Sequence, residues 1–517
     1  MSAPPERRIT GREWAGFMAM VVGMFMAILD IQIVSASLSE IQAGLAASPD
    51  EASWVQTSYL IAEIVMIPLS GWLSRLLSTR VLFSLSAAGF ALFSALCATA
   101  DSLPAMIAFR AAQGFIGGAM IPTVFATSFL LFPGSRRAQV SVLIGMTATL
   151  APTIGPTFGG WLTQQLSWHW LFLINVPIGL AIAGLVWRLL DIDRPDWSLR
   201  RNFDAFGLLM LAGFLGSLEY VLEEGPRWEW LDDATVRNLA LVSFVCGVLF
   251  FHRMLTRRDP MVELRAFTNP NFAIGSLFSF VLGVGLYGSV YLVPLYLSQV
   301  RGFDSMQIGE TMFVTGVFMF LFAPLAGRLA RVLDMRVMLA LGLAMFGVAI
   351  WQTAQLTTEW GFWQFFWPQA LRGASMMFVI VPVNQVALGT LPPAMLKNAS
   401  GLYNLMRNLG GAGGLAMINT LITDRGFLHR ARLADQVTWA RAGVTRTLDG
   451  ITAALTPKLG AMADLAALSR IAGMVRQQAL VLAYNDVLLV MAGLFIAAIP
   501  LTLLLARPRM AGGGEAH

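Results

Sequence analysis

Apolar residues arrive in this chain in blocks of about 19 or more. A helix rises ~1.5 Å per residue, so each block is long enough to cross a hydrocarbon core of ~30 Å. Hydrophobic residues make up 56% of the 517 positions and charged residues 13%. Soluble domains carry about 25% charged residues, so a soluble enzyme and a disordered scaffold are both excluded. The chain reads as an all-α polytopic membrane protein.

Fourteen spans are expected, near 14–36, 52–72, 80–99, 103–126, 137–161, 170–190, 204–223, 237–256, 271–298, 306–328, 336–356, 361–387, 400–422 and 483–506. The first, although Arg7, Arg8 and Arg12 precede it, is long for a signal-peptide core and contains Asp30, so it reads as a retained span. Arginine and lysine fix the orientation. With the N-terminus cytoplasmic, 21 of the 35 basic residues fall on inside segments and only 3 on the six short outside loops. Both termini, 1–13 and 507–517, are therefore expected in the cytoplasm, with a long outer loop over 423–482. Topology explains the net charge of +5 without a nucleic-acid partner. Cys97 and Cys246 each sit inside an apolar block, and His169, His252 and His429 lie at or beyond span ends. Neither a disulfide framework nor a metal site is expected.

The sequence repeats itself. Gly71, Leu73, Arg75, Leu77 and Arg80 recur at identical spacing as Gly327, Leu329, Arg331, Leu333 and Arg336, 256 residues on. Arg110 is likewise answered by Arg372, 262 residues on. Matches in the same order at nearly the same offset argue for two homologous six-span bundles, 14–190 and 271–506, with two further spans at 204–256 inserted between them. Duplicated halves around a midplane cavity are the architecture of secondary transporters. No nucleotide-binding loop is present, so an ion gradient is the expected energy source and no cofactor is required.

A charge at the bilayer centre costs at least ~2.5–3.5 kcal/mol, so each one invites a functional reading. Asp30 lies about 6 Å outward of the middle of its span and Arg110 about 7 Å outward of its own, which lets them share a depth. Glu63 falls near the middle of span 2, and its counterpart in the repeat is Met319. The region answering Asp30, 280–288, has no acid, so the acidic machinery is confined to the first half. A carboxyl group in a cavity whose exposure alternates can load a proton on one side and discharge it on the other. The competing reading is a static Asp30–Arg110 pair holding helices together. Glu219, Glu310 and Asp486 lie near outer span ends and read as solvated, while Arg372 and Arg407 either balance substrate charge or anchor gating loops.

Span 5 carries small residues at Ala151, Gly155 and Gly159, followed by Gly160, with Pro152 and Pro156 between them. Small residues four apart make a smooth stripe that admits another backbone, and proline bends a helix. A smooth, bent helix is expected at the interface between the halves, and Gly410, Gly411, Gly413 and Gly414 offer a similar surface in span 13.

These motifs together resemble the major facilitator superfamily, and within it the fourteen-span drug:proton antiporters of the EmrB/QacA type. The residues carrying the resemblance are Leu29-Asp30 with Ile33-Val34, Trp54 with Thr57-Ser58-Tyr59-Leu60, and Arg110 with Gln113-Gly114 and Gly117-Gly118. They continue through Gly155-Pro156 with Gly159-Gly160, Trp170 to Gly179 including Asn175 and Pro177, Pro294-Leu295-Tyr296-Leu297, Leu391-Pro392-Pro393, and Ser400 to Arg407 including Asn404. The resemblance implies proton-driven export of amphipathic compounds across a bacterial inner membrane, with Asp30 and Arg110 at the proton-coupling positions. The long outer loop looks most like the EmrB branch, whose members work with a periplasmic adaptor and an outer-membrane channel. The sequence departs from the family at the loop after span 2, where an Asp-Arg pair and a glycine are replaced by Arg75, Leu76 and Ser78. It also departs at Ala151 and at Ser35–Ser39, where asparagine and proline are common.

The expected mechanism is alternating access, with protonation of Asp30 or Glu63 from outside promoting substrate release. A metabolite symporter of the same fold is the alternative. A membrane-embedded enzyme is disfavoured, because no metal-ligand spacing or clustered nucleophile appears in the spans.

Overall fold

The computed structural model describes residues 9–132 and 134–506. Arg7, Arg8 and the expected tail 507–517 lie outside the described residues. No strand occurs among the described residues. The long helices are α1 (Gly11–Ala36), α2 (Trp54–Leu77), α3 (Thr79–Ala98), α4 (Leu103–Leu131), α5 (Gly134–Gln165), α6 (Trp170–Leu189), α7 (Ala205–Glu224) and α8 (Ala234–Thr256). The series continues with α9 (Pro270–Gln299), α10 (Ser305–Val332), α11 (Met335–Thr353), α12 (Phe362–Gly389), α13 (Leu396–Ala434), α14 (Ala442–Leu459) and α15 (Ala463–Ala498).

Thirteen described segments are long and apolar enough to cross a membrane. Helix α13 is not among them, because Lys397, Asn398, Asn404, Arg407 and Asn408 dilute its apolar residues. It nevertheless packs between α9, α15 and α2, and Leu396, Tyr403 and Ile418 on it are buried. Polar residues on such a helix face protein rather than lipid. By contrast, α8 packs mainly on α7 and leaves Leu241, Phe244 and Leu255 exposed, as a lipid-facing helix does.

The repeat is written in the packing. Helix α1 packs on α5 and α6 as α9 packs on α13 and α15; α2 packs on α4 as α10 packs on α12; α3 packs on α4 and α6 as α11 packs on α12 and α15. Contact between the two sets is reciprocal as well: α2 meets α13, and α10 meets α5. Helix α7, with α8 behind it, docks on the flank where α2 and α13 run side by side.

The segment 423–482, expected as a loop, is largely helical. Helix α13 runs for 39 residues and α15 for 36, ~58 and ~54 Å against a core of ~30 Å. Both project well beyond the membrane, with α14 packed on α15. The stretch 465–480 belongs to the same continuous helix as the last span. His429 of α13 meets Asp486 of α15 at 2.8 Å and ties the two extensions together.

Candidate functional site

Asp30 and Arg110 are both fully buried and meet at 2.7 Å. Three neutral groups complete the cluster. Asn175 of α6 donates to the second carboxylate oxygen at 2.7 Å, Gln113 donates to the same oxygen at 3.3 Å, and both amides also donate to Ser94 of α3. The guanidinium further donates to Gln113 Oε1 and to the Val55 carbonyl, and lies 4.2 Å from the centre of the Tyr59 ring. A buried ion pair is sustained when most of its remaining valences are filled; five helices converge here to fill them, leaving the Arg110 Nη2 without a hydrogen-bond partner among the described residues. Gln113 and Asn175, carried in the sequence only as motif members, belong to this cluster.

A cavity of about 610 Å³ lies between the two sets of helices. Glu63, one turn beyond Tyr59 on α2, is buried in its wall. Pro152 and Pro156 of α5 and Tyr287 and Tyr291 of α9 line it too. So do Glu219 and Glu223 of α7, although Glu219 is only 5% exposed where solvation was expected. The docking of α7 on α2 and α13 turns that face inward, and the sequence carries no signal for which face docks. Asp30 is absent from the cavity wall and sits sealed behind it.

The arginine-rich end, where α2 and α10 finish, is shut. Gly71 lies so close to α13 that a Cβ there would stand 2.6 Å from Asn398 Cα. Lys397, at the start of α13, reaches across to donate to the Ser74 carbonyl at 3.0 Å and to the Asp193 carboxylate. Asp193, in the segment after α6, also accepts from the Thr79 backbone N–H and hydroxyl at 3.0 Å. The acid missing from the loop after span 2 is thus supplied by Asp193, and the cation by the opposite set of helices. The cavity lining includes Ser35, Ala36 and Ser298, at the ends of α1 and α9 away from this closure.

Residues 20–415 match the model of the Major Facilitator Superfamily. The chain belongs to that superfamily. It is 44% identical over 494 residues to the colistin resistance protein EmrB of Acinetobacter baumannii, covering 96% of each chain. It is 31% identical over 499 residues to the multidrug export protein EmrB of Escherichia coli, covering 96% of each chain, which places it in the EmrB-type drug antiporter family. Among solved structures, the human organic anion transporter MFSD10 covers 95% of this chain and is itself fully covered, with 15% identity and a TM-score of 0.60. The proton:xylose symporter XylE covers 93%, with 94% of its own chain covered, 14% identity and a TM-score of 0.55. Both likenesses are of fold. The protein is a multi-pass membrane transporter, not an enzyme.

In this transporter α5 stands at the interface between the halves, as expected of it, but its small-residue stripe faces α1. A Cβ on Gly155 would stand 2.4 Å from Gln32 Cβ, and one on Gly159 would stand 2.9 Å from the Ile33 carbonyl. The stripe therefore seats α5 on α1 within one half, while the other side of α5 meets α10. Gly410 and Gly414 seat α13 on α9 in the same way, and Gly160 is half-buried. Helix α5 runs unbroken through Pro152 and Pro156.

Arg372 is buried like Arg110 but meets no acid among the described residues, donating instead to the Ser289 carbonyl at 3.1 Å and to Thr315 at 2.9 Å. Arg407 donates to the Tyr403 hydroxyl and packs against Phe125 of α4, and Asn404 donates to the Ser400 carbonyl. None of the three lines the cavity; their geometry anchors helices. Arg75 is half-buried, Arg80 lies 3.9 Å from Asp191, Gly327 faces Val142 loosely, Arg331 is exposed, and the Arg336 backbone N–H donates to Asp334, which caps α11. Asp486 pairs with His429 and Arg425, and Glu310 lies beside a separate aromatic groove with Phe313 and Phe318.

The Lys397–Asp193 contact makes a direct prediction. Lys397→Met removes a mostly buried pair across the closure, and its loss is worth about 1–2 kcal/mol of the closed state, roughly tenfold in population. Spin labels at positions 80 and 331 should report a longer distance population in the variant; an unchanged distribution would show the contact to be idle.

Proposed function

We propose that the protein is a proton-coupled multidrug efflux antiporter of the bacterial inner membrane, exporting amphipathic and lipophilic compounds by alternating access. The observation carrying this reading is the cavity between repeated halves, shut at the arginine-rich end, with Glu63 in its wall and the Asp30–Arg110 cluster sealed behind it. The relatives' names support breadth of substrate: one is a colistin resistance protein, one a multidrug export protein, and a third, from Neisseria gonorrhoeae and 29% identical, a fatty acid resistance protein.

In this account α13 also crosses the membrane, as the thirteenth of fourteen spans, both termini are cytoplasmic, and the arginine-rich end faces the cytoplasm. Bundles 14–190 and 271–506 rock about the α2–α13 and α5–α10 contacts, with α7 and α8 as an inserted wall. Compound enters when the arginine-rich end is open. Protonation of Glu63, or of Asp30 through its cluster, competes with bound compound and favours release on the other side. One proton moving down 100 mV yields ~2.3 kcal/mol and tenfold accumulation costs ~1.4 kcal/mol, so one proton sustains modest export of a neutral compound. The extensions of α13 and α15, with α14 between them, are the part of this permease that a periplasmic adaptor would grip, linking it to an outer-membrane channel in a tripartite pump.

Cells expressing the chain should accumulate less of several lipophilic dyes than cells with an empty vector, and a protonophore should abolish the difference. Asp30→Asn and Glu63→Gln should each restore vector-level accumulation. Dye extrusion that survives both the protonophore and the double substitution would contradict the reading.

A further inference from the structure

The cavity wall is lopsided in charge. Among the described residues it holds three carboxylates, Glu63, Glu219 and Glu223, and no lysine, arginine or histidine. Two of the three come from α7, one turn apart, where like charges on one helix face repel. Glu219 is the sharper anomaly. It is 5% exposed, it borders the cavity, and its Oε2 has no hydrogen-bond partner. A neighbouring acid on the same helix, Glu224, is held structurally, facing Arg227 at 3.8 Å and accepting from the Trp228 indole at 3.2 Å. Glu219 is left open toward the cavity. A buried carboxylate with a vacant acceptor is costly unless something with a positive charge or a donor hydrogen comes to it.

The opposite wall tells what shape that partner takes. Tyr287 and Tyr291 of α9 present aromatic surface, Tyr291 being held by its hydroxyl on Asn419 at 2.8 Å. Leu286, Val290 and Leu415 fill in between. Aromatic faces and carboxylates together favour an organic cation with a large apolar body. Of these three carboxylates only Glu63 enters the proton cycle proposed above; Glu219 and Glu223 have no part in it.

We propose that α7, the helix inserted between the halves, carries a cation subsite in which Glu219, assisted by Glu223, receives the positive group of a lipophilic cation while its apolar body lies against Tyr287 and Tyr291. This rests on the reading of the cavity as the export site and narrows its substrates: cations are preferred over anions of the same size and shape.

Tetraphenylphosphonium and tetraphenylborate make the test, being nearly the same shape with opposite charge. Binding of each is measured to the purified full-length chain in detergent. Wild type should bind tetraphenylphosphonium and discriminate against tetraphenylborate. Glu219→Gln should weaken tetraphenylphosphonium binding at least about tenfold, Glu219→Asp should retain most of it, and Glu219→Gln should lose the discrimination. Folding is checked independently: replacing an unpaired buried acid by an amide should raise the melting midpoint, and tetraphenylphosphonium should raise that of wild type more than that of the variant. Equal binding of the two ions by wild type, or tetraphenylphosphonium binding indifferent to Glu219→Gln and Glu223→Gln, would overturn the subsite. If the same preparation still exports other compounds after reconstitution, only the subsite falls; if it exports nothing, the export reading falls with it.

Discussion

Arg110→Ala should give little folded protein, and what folds should melt far below wild type. The substitution strips the Asp30 carboxylate of the one cation it meets among the described residues while leaving it fully buried. Breaking a buried pair from one side costs about 3–5 kcal/mol, a large share of the stability of any helical bundle. The amides of Asn175 and Gln113 still donate to Asp30, but two neutral donors do not replace a charge. Adding Asp30→Asn to the same chain should recover much of the loss, since the variant then buries no net charge at this point. Asp30→Asn alone should also melt below wild type, since it leaves the buried Arg110 guanidinium with only neutral acceptors in the Val55 carbonyl and Gln113, and what folds should not transport. Size-exclusion profiles after graded heating measure all three. Equal melting of Arg110→Ala and wild type would mean that the pair contributes nothing to the fold.

Gly71→Ala should hold the arginine-rich end apart. The added methyl would stand 2.6 Å from Asn398 Cα and 2.7 Å from the Lys397 carbonyl, both main-chain atoms that no side-chain rotation can move aside. Gly327 occupies the equivalent place in the repeat, but its nearest neighbour is a Val142 methyl at 3.6 Å, so Gly327→Ala should be tolerated. A cysteine at Ala412 in the cavity wall, in a background without Cys97 and Cys246, reports the difference. A membrane-impermeant maleimide applied at the open mouth should label it several-fold more slowly in Gly71→Ala than in wild type, and efflux should fall about tenfold, the factor that ~1.4 kcal/mol of lost closure gives. Unchanged labelling would show that the halves close without the α2–α13 contact at Gly71.

What the sequence made legible and what it hid follow from the kind of information each feature needs. Asp30 and Arg110 could be placed at one depth because helix rise converts residue number into height, and the structure brings them into contact. The repeat was legible because spacing survives where residue identity drifts. Rotation about a helix axis is harder to read. The stripe on α5 announces a close neighbour without saying which, and that neighbour is α1 of the same half. Glu219 looked like a solvated residue near a helix end until the docking of α7 turned it inward. Asp193 and Lys397 are 204 residues apart and each resembles an ordinary loop charge, so only the folded chain reveals the pair. The extension of α13 was missed because polar residues beyond a span look the same in a loop and on a projecting helix.

The central claim is that this cavity exchanges compounds for protons. The most direct test is purified protein alone in liposomes with a preset pH gradient, into which lipophilic compounds are added while internal pH is followed. Wild type should dissipate the gradient only when a transported compound is present, and Asp30→Asn and Glu63→Gln should leave it intact. Compound movement without proton flux, or proton flux unchanged by both substitutions, would contradict the account.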